Sequence, residues 1–424
     1  MFHEGLLDRT LRQIKKLIPK NLFDFLAPYY HAGLAHAGAF LYGFPSRSLT
    51  VIGVTGTKGK STTVFLITKI LEGAGKSVAA IGSLGYKIKD NEWPNTLKMT
   101  MPGRFKLQRF LKQAKDAGCR YVVLEVTSEG IKQKRHLGIQ FDCAVFTNLH
   151  KEHLESHGSF ENYMAAKQEL FRETKNIHVI NADDPYADQF GTFPAKRKIF
   201  YGTRAGDMVA HSVEASGTTA RFTLFDTPFQ IHFGGMFNVY NTLAALATSA
   251  MYGIDVPTAQ PILEKIKFIP GRMEYVQRSP FAIVVDYAHT PDSLEAVYNT
   301  LQKETKGKLI CVLGAAGGGR DTWKRKEFGK IATNYCDEII LTNEDPYDES
   351  PEKIISEIRH GISAAKHVTK ILDRKEAIGQ ALQHAQHDDT IVITGKGSET
   401  SIAYARGKKI PWSDREVVRE FLKQ

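Results

Sequence analysis

The chain has 424 residues, 42% of them hydrophobic and 24% charged, and carries a formal net charge of +10. A chain of that length exceeds one ordinary core, so two or three domains of a soluble globular protein are expected. The mild positive excess suits anionic small ligands; with no tight Lys/Arg block interleaved with aromatics, nucleic-acid binding is not expected.

The first residues set Leu6, Leu7, Leu11, Ile14 and Leu17 at helical spacing among Asp8, Arg9, Arg12, Lys15 and Lys16, which predicts an amphipathic helix and no signal peptide. Phe23 to Tyr42 is more apolar, but Pro28, His31 and His36 interrupt it, so it reads as an apolar hairpin and not as a membrane span. Residues 1–45 could rest on a membrane surface or pack on a neighbouring domain, and both readings stay open.

A buried strand over Ser48–Val54 runs into GVTGTKGKSTT, Gly53 to Thr63, and a helix is expected over Thr62–Glu72. Strands are then predicted at Tyr121–Val126, Cys143–Asn148 and His178–Asn181, with helical stretches between them, as in a parallel sheet covered on both faces. Val209 to Phe233 alternates and is rich in Thr, Phe and Val, so it reads as antiparallel strands, and a helix follows over Asn238–Met251. Beyond Ile269-Pro-Gly-Arg272, the stretches FAIVVDYA, KLICVLGA, DEIILTNE and DTIVITGKG alternate with helices such as Pro291–Glu304 and Pro351–Ala365, giving a second, Rossmann-like α/β domain. The expected division is a helical segment over 1–47, a nucleotide domain over 48–270 and a C-terminal domain over 271–424.

The cysteines, Cys119, Cys143, Cys311 and Cys336, form no CxxC pair. Neither a zinc ribbon nor a disulfide framework is indicated, and a reducing cytoplasm is the expected compartment.

Gly53–Thr63 resembles a phosphate-binding loop with Val54 where the usual first glycine stands. Strand, Gly-Lys-Ser and helix are all present, so Gly56, Thr57, Lys58, Gly59, Lys60, Ser61 and Thr62 are expected to bind a nucleotide. Backbone N–H groups would surround the β-phosphate, Lys60 would meet the β- and γ-phosphates and Ser61 would ligate Mg²⁺. Glu125 ends a predicted strand, where a carboxylate faces the ligand crevice of an open α/β sheet and could hold Mg²⁺. His153 is a possible further metal ligand. Lys167 sits among Tyr163, Met164, Leu170 and Phe171. Buried there, its amine would have a lowered pKa and could take up CO₂ as a carbamate; the alternative is a lysine snorkelling to solvent.

These stretches, with LKMTMPG, GGMFNVYNTLAA, IPGRMEYV, VVDYAHTPDSL, LGAAGGGRDTWKR, TNEDPYDESP and TGKGSE, resemble the Mur ligase superfamily, most closely its UDP-N-acetylmuramoyl-tripeptide synthetase type. The resemblance implies a P-loop domain with an antiparallel insert, followed by a C-terminal α/β domain. It implies an ATP-dependent ligase that converts a carboxylate to an acyl phosphate and joins it to an amino acid, extending a nucleotide-sugar peptide in peptidoglycan precursor synthesis. Two Mg²⁺ sites are implied, one on Ser61 and Glu125, the other on His153 and carbamylated Lys167. Asn241 and Asn238 would approach the adenine, Arg272 the phosphates, Asp286 the ribose, and His289 would lie near the nucleotide. Thr100 and Asn148 match positions lining the peptide substrate, and Arg320 is placed on the α-carboxylate of the amino acid. A cytoplasmic monomer is expected.

Two departures from the family pattern carry expectations of their own. Enzymes of this type carry an N-terminal domain that grips uridine diphosphate; with a short helical segment before the first strand, uridine recognition is expected to differ, and a related, lipid-linked carboxylate is an alternative acceptor. Where diaminopimelate-adding enzymes have Asp-Asn-Pro-Arg, this chain has Glu344-Asp345-Pro346-Tyr347. With Asp348, Glu349 and Glu399 nearby in sequence motifs, a lysine- or ornithine-like amino acid is expected. A smaller change is Glu129, where the family more often has histidine. Folylpolyglutamate-like and peptide-polymer ligases, and a regulator that binds nucleotide without ligating, are the alternatives.

Overall fold

A computed structural model of the chain describes residues 20–97, 99–152, 154–319 and 321–423. The amphipathic helix expected near the N-terminus, His153 and Arg320 lie outside the described residues. The chain divides into two compact units: residues 1–211, 223–227 and 240–263 in one, and 212–222, 228–239 and 264–424 in the other.

The first unit is built on a nine-stranded sheet. Its strands are β1 (Thr50–Thr55), β2 (Val78–Gly82), β3 (Gly85–Ile88), β4 (Asn91–Trp93), β5 (Tyr121–Glu125), β6 (Cys143–Phe146), β7 (Ile177–Asn181), β8 (Arg197–Gly202) and β9 (Met208–Val209). Their spatial order is β4-β3-β2-β5-β1-β6-β7-β8-β9. The sequence predicts a parallel sheet, but β3 and β4 pair antiparallel to β2 and to each other, so the sheet is mixed. The reason is local: β2, β3 and β4 are joined by loops too short for a crossover, and antiparallel pairing is what short loops allow. Central β1 is flanked by β5 and β6, both parallel to it, with Val54 opposite Glu125 and Thr55 opposite Phe146. That register sets the end of β5 beside the start of the Gly-Lys-Ser loop.

The segment expected as an apolar hairpin is one helix, Lys20–Leu41, with Pro28 inside it. Proline removes one helical hydrogen bond, and the alanine-rich turns that follow carry the helix on. Ala35 and Ala39 are fully buried, while Tyr29, Phe40 and Leu41 are exposed. No helix among the described residues is long and apolar enough to cross a membrane.

The predicted antiparallel strands form a three-stranded sheet, β10 (His211–Ala215), β11 (Ala220–Leu224) and β12 (Thr227–Ile231). A six-stranded sheet organises the second unit, in the order β13 (Glu274–Gln277), β14 (Ala282–Val285), β18 (Thr390–Ile393), β15 (Leu309–Leu313), β16 (Glu338–Leu341) and β17 (His367–Lys370). Alternation along these strands serves both faces. Val284, Cys311, Ile339 and Val392 belong to one apolar cluster with Leu294, Phe328 and Ile355, which come from the helices Pro291–Gln302, Trp323–Tyr335 and Pro351–Arg359. Ile283, Ile310, Ile340 and Ile391 belong to another with Ala377, Ile378 and Val418, from the helices Arg374–His384 and Asp414–Leu422. Each fully buried aliphatic side chain contributes about 1.5–3 kcal/mol. A short pair, β19 (Ser401–Ala403) and β20 (Lys409–Pro411), follows.

Cys311 and Cys336 are disulfide-bonded, with Cα atoms 6.1 Å apart. The expectation of no disulfide was therefore wrong, and the argument for a reducing compartment loses its premise. Sequence spacing failed because β15 and the end of the helix Trp323–Tyr335 bring together residues separated by 25 positions. Cys119 and Cys143 are buried thiols.

Candidate active site

In the first unit, the chain leaves β1 and turns through Gly56 to Gly59 into the helix Lys60–Gly73. Gly56 has φ +149°, and a Cβ there would sit 1.9 Å from Thr147 Oγ1. Gly59 has φ +79°, and its Cβ would sit 2.1 Å from Asn241 Oδ1. Both positions therefore require glycine, for conformation and for close approach. The side chain of Asn241 thus lies over the loop, close to Gly59. Thr62 is buried in the first turn of the helix.

The loop is held from the next strand over. Lys58 N–H donates to Asn148 Oδ1 at 2.8 Å, Asn148 Nδ2 donates back to Lys58 O at 3.2 Å, and Thr147 Oγ1 donates to the same carbonyl at 2.7 Å. Asn148 was expected at the peptide substrate; here its amide clasps the loop backbone. Thr57 Oγ1 is 3.0 Å from Tyr163 OH and accepts from His150 N–H at 3.0 Å. Lys60 Nζ donates to Gly56 O and Thr57 O at 3.0 and 2.8 Å, curling back over the loop.

Glu125 ends β5 and is buried. Its Oε2 accepts from Ser61 Oγ at 3.0 Å and from Ser83 N–H at 2.9 Å. Ser83 Oγ is in turn 2.8 Å from Thr100 Oγ1, which links a residue expected at the substrate to the Ser61–Glu125 pair. A hydroxyl and a carboxylate in direct contact beside a phosphate-type loop fit the donor set of one Mg²⁺, a cation bound through oxygen.

Lys167 is 2% exposed, which excludes snorkelling. Its Nζ donates to Gly56 O at 2.6 Å. Burial first, then the charge of Lys60, pushes its pKa well below the ordinary lysine value. A lowered pKa favours the neutral amine, the species that reacts with CO₂, so the environment fits a carbamate.

The sequence reading missed Ser83 and Glu152. Ser83 follows β2, the neighbour of β5, so the rule that ligands gather at strand C-terminal ends could have found it. Glu152 is buried and pairs with Lys58 at 3.3 Å; nothing in its sequence context marks it.

The second unit holds the other expected residues. Asn238 is buried and donates to Gly234 O at 2.7 Å. Asp286 accepts from Met273 N–H at 2.7 Å and from Ala288 N–H at 2.6 Å, so it ties the open end of the β13–β14 pair to the loop after β14. Burial raises its pKa against the pull of Arg272. Arg272 lies 4.4 Å above the Tyr287 ring, and the His289 ring centre is 4.4 Å from that of Tyr287. Arg272 and His289 thus both contact the Tyr287 ring, the imidazole tilted against it by 53°.

The Glu344-Asp345-Pro346-Tyr347 stretch leaves β16. Asp345, Asp348 and Glu349 are engaged within the unit. Asp345 Oδ1 accepts from Lys396 Nζ at 3.0 Å and from Ala403 N–H at 2.7 Å, and Glu399 also pairs with Lys396. Burial opposes the charge on Lys396, but Glu399, Asp345 and Glu344 hold its pKa above the ordinary value. Glu349 pairs with Arg325 at 2.9 Å, and Asp348 accepts from Arg406 N–H at 2.9 Å. Glu344 is fully enclosed; burial pushes its pKa up to about 7, with Lys396 opposing and Asp345 reinforcing. Lys396 thus balances part of the negative charge carried by Glu344, Asp345 and Glu399. Arg374 and Asp414 complete the support, joined at 2.8 Å through both carboxylate oxygens and both buried.

Residues 54–249 match the family model described as Mur ligase middle domain, and residues 271–397 match that described as Mur ligase, glutamate ligase domain. The UDP-N-acetylmuramoyl-L-alanyl-D-glutamate--2,6-diaminopimelate ligase of Aquifex aeolicus is 39% identical over 386 residues, 90% of this chain and 79% of the relative. A solved structure of a ligase of the same name aligns with TM-score 0.61 and 32% identity, over 88% of this chain and 78% of that one. Folylpolyglutamate synthase of Mycobacterium tuberculosis aligns with TM-score 0.69 but 17% identity, over 86% of this chain and 92% of that one, a likeness of fold.

Proposed function

The chain belongs to the Mur ligase family, and we propose that it joins diaminopimelate to UDP-N-acetylmuramoyl-L-alanyl-D-glutamate. It is an ATP-dependent acid–amino-acid ligase of peptidoglycan synthesis, similar to the tripeptide synthetases, and the non-catalytic alternative falls away with that membership. The choice of diaminopimelate rests on the names of the relatives. A cytoplasmic location is part of the proposal, as is the division into a nucleotide domain over 48–270 and an amino-acid domain over 271–424.

The reaction brings two anions together. A carboxylate oxygen attacks the γ-phosphorus of ATP, ADP leaves, and an acyl phosphate forms. The amine of the amino acid then attacks the acyl carbon, the amide forms, and phosphate and a proton depart. Lys60 offsets the phosphate charge from within the loop, and the backbone N–H groups of the loop orient the phosphates. Ser61 and Glu125 would hold one Mg²⁺, and His153 with carbamylated Lys167 the other; the cations would supply charge neutralisation and in-line positioning. Asn241 and Asn238 would meet the adenine, with Arg272, Asp286 and His289 as further nucleotide contacts. Thr100 and Asn148 would position the peptide, and Arg320, Glu344, Asp345 and Glu399 the amino acid.

The observation that carries this reading is the buried Lys167 amine on the Gly56 carbonyl. The test is ADP release and product mass with the dipeptide nucleotide and single amino acids. Diaminopimelate should be incorporated and lysine should not; incorporation of lysine alone would overturn the choice of amino acid while leaving the ligase chemistry intact.

A further inference from the structure

We propose that His136, Glu169 and Glu173 form a binding site for a borderline divalent cation, Zn²⁺ foremost, apart from the Gly-Lys-Ser loop. One ligand atom from each of the three side chains lies within 4.8 Å of the others. His136 Nε2 is 3.5 Å from Glu173 Oε1. Two ligands on a tetrahedral centre with bonds of ~2.1 Å are themselves ~3.4 Å apart, so this pair is already at metal-ligand spacing.

An independent feature points to a ligand. His136 is fully buried, yet neither ring nitrogen has a hydrogen-bond partner. Such a group costs ~1–3 kcal/mol unless something satisfies it. Its Nε2 is aimed at the carboxylates. Glu169 and Glu173 lie one turn apart in the final turns of the helix Phe160–Glu173, where the helix dipole disfavours negative charge and favours a cation. One imidazole nitrogen and two carboxylate oxygens suit Zn²⁺, with water in the fourth position, better than the all-oxygen preference of Mg²⁺.

His136 is enclosed, but the carboxylates are 22% and 31% exposed, which gives the ion an entry path. Arg172 pairs with Glu169 and is 56% exposed. Exposed pairs of this kind contribute ~0–1 kcal/mol, so a dication displaces it at small cost. Lys167 precedes Glu169 by two residues, a spacing that puts the two on opposite sides of the helix. A cation here would pin the end of that helix to the 133–140 loop without touching the phosphate loop.

The test is Zn²⁺ and Co²⁺ titration of the full chain, with the nucleotide site saturated by Mg²⁺ and a non-hydrolysable ATP analogue. The wild type should bind one more equivalent of Zn²⁺ than Glu169→Gln/Glu173→Gln, and His136→Gln should weaken that equivalent at least ~tenfold. Co²⁺ should give visible d–d absorption that the double variant lacks. Equal stoichiometry in wild type and double variant overturns the site, as does the absence of any bound ion. Should the variants fold poorly, anomalous diffraction at the zinc edge from soaked wild-type crystals decides: a peak between His136 and the two carboxylates supports the site, and its absence refutes it.

Discussion

Lys167 Nζ lies 2.6 Å from the carbonyl oxygen of Gly56, so the buried amine is held by the backbone of the Gly-Lys-Ser loop. Two lysines, Lys60 and Lys167, donate to the same carbonyl. Burial first, and then the nearby charge of Lys60, disfavour the protonated form of Lys167 and lower its pKa well below the ordinary lysine value, which favours an amine able to take up CO₂.

The first expected outcome concerns CO₂. Lys167→Ala should lower the ligase rate by ~10²–10³-fold, the usual effect of losing a positioned electrostatic group. Short-chain carboxylic acids should restore part of it by standing in for the carbamate oxygens. Wild-type enzyme stripped of CO₂ should slow and recover with bicarbonate. Turnover of the variant at the wild-type pace without additives would refute the carbamate.

A second outcome concerns pH and stability. Because the folded-state pKa of Lys167 is depressed, the unfolded chain binds more protons between that value and the ordinary lysine value near ~10.4. Stability from this group is therefore full above the ordinary value and falls as pH falls through that window. Lys167→Met removes the dependence. It should melt higher than the wild type at neutral pH without bicarbonate, with the gap closing toward high pH. A Tm difference that does not change with pH would contradict this.

Much of this was legible because the signals are local. The Gly-Lys-Ser loop announces itself by its glycines, and the strands β1, β5, β6, β14, β15, β16 and β18 by continuous apolar runs. What escaped is relational. The antiparallel edge strands β3 and β4 are short and mixed in polarity, so periodicity does not separate them from loops. Pro28 suggested a break that the following turns override. Asn148 reads as a substrate contact, and only its register opposite the loop shows its amide clasping Lys58. The acids after β16 read as a negative pocket because Lys396, some 50 positions later, is absent from any local window.

The disulfide gives a third outcome. Four thiols should titrate in the reduced, unfolded chain and two, Cys119 and Cys143, in the unreduced one. Closing a loop of 25 residues contributes about 3.5 kcal/mol in the chain-entropy account. Cys311→Ser should therefore lower the stability of the second unit's melting transition by ~2–5 kcal/mol. Four reactive thiols in unreduced, denatured protein would show that the bond does not form.

The last outcome separates Glu344 from the acids around it. Asp345 and Glu399 are paired with Lys396, whereas Glu344 Oε2 is buried with no hydrogen-bond partner. A carboxylate so placed bears the full cost of desolvation, which is why burial carries its pKa to about 7. The raised value fixes the sign. Stability from the protonated group is full below the ordinary Glu value near ~4.3, falls as pH rises, and is lost once pH passes about 7. The span corresponds to a change on the order of 3 kcal/mol. Glu344→Gln keeps the shape and abolishes the titration. Subtracting its urea-unfolding free energy from that of the wild type at each pH should leave a curve descending from acid to neutral, flat beyond. A flat difference throughout would mean that Glu344 titrates like an ordinary carboxylate and is ionised across neutral pH in spite of its burial.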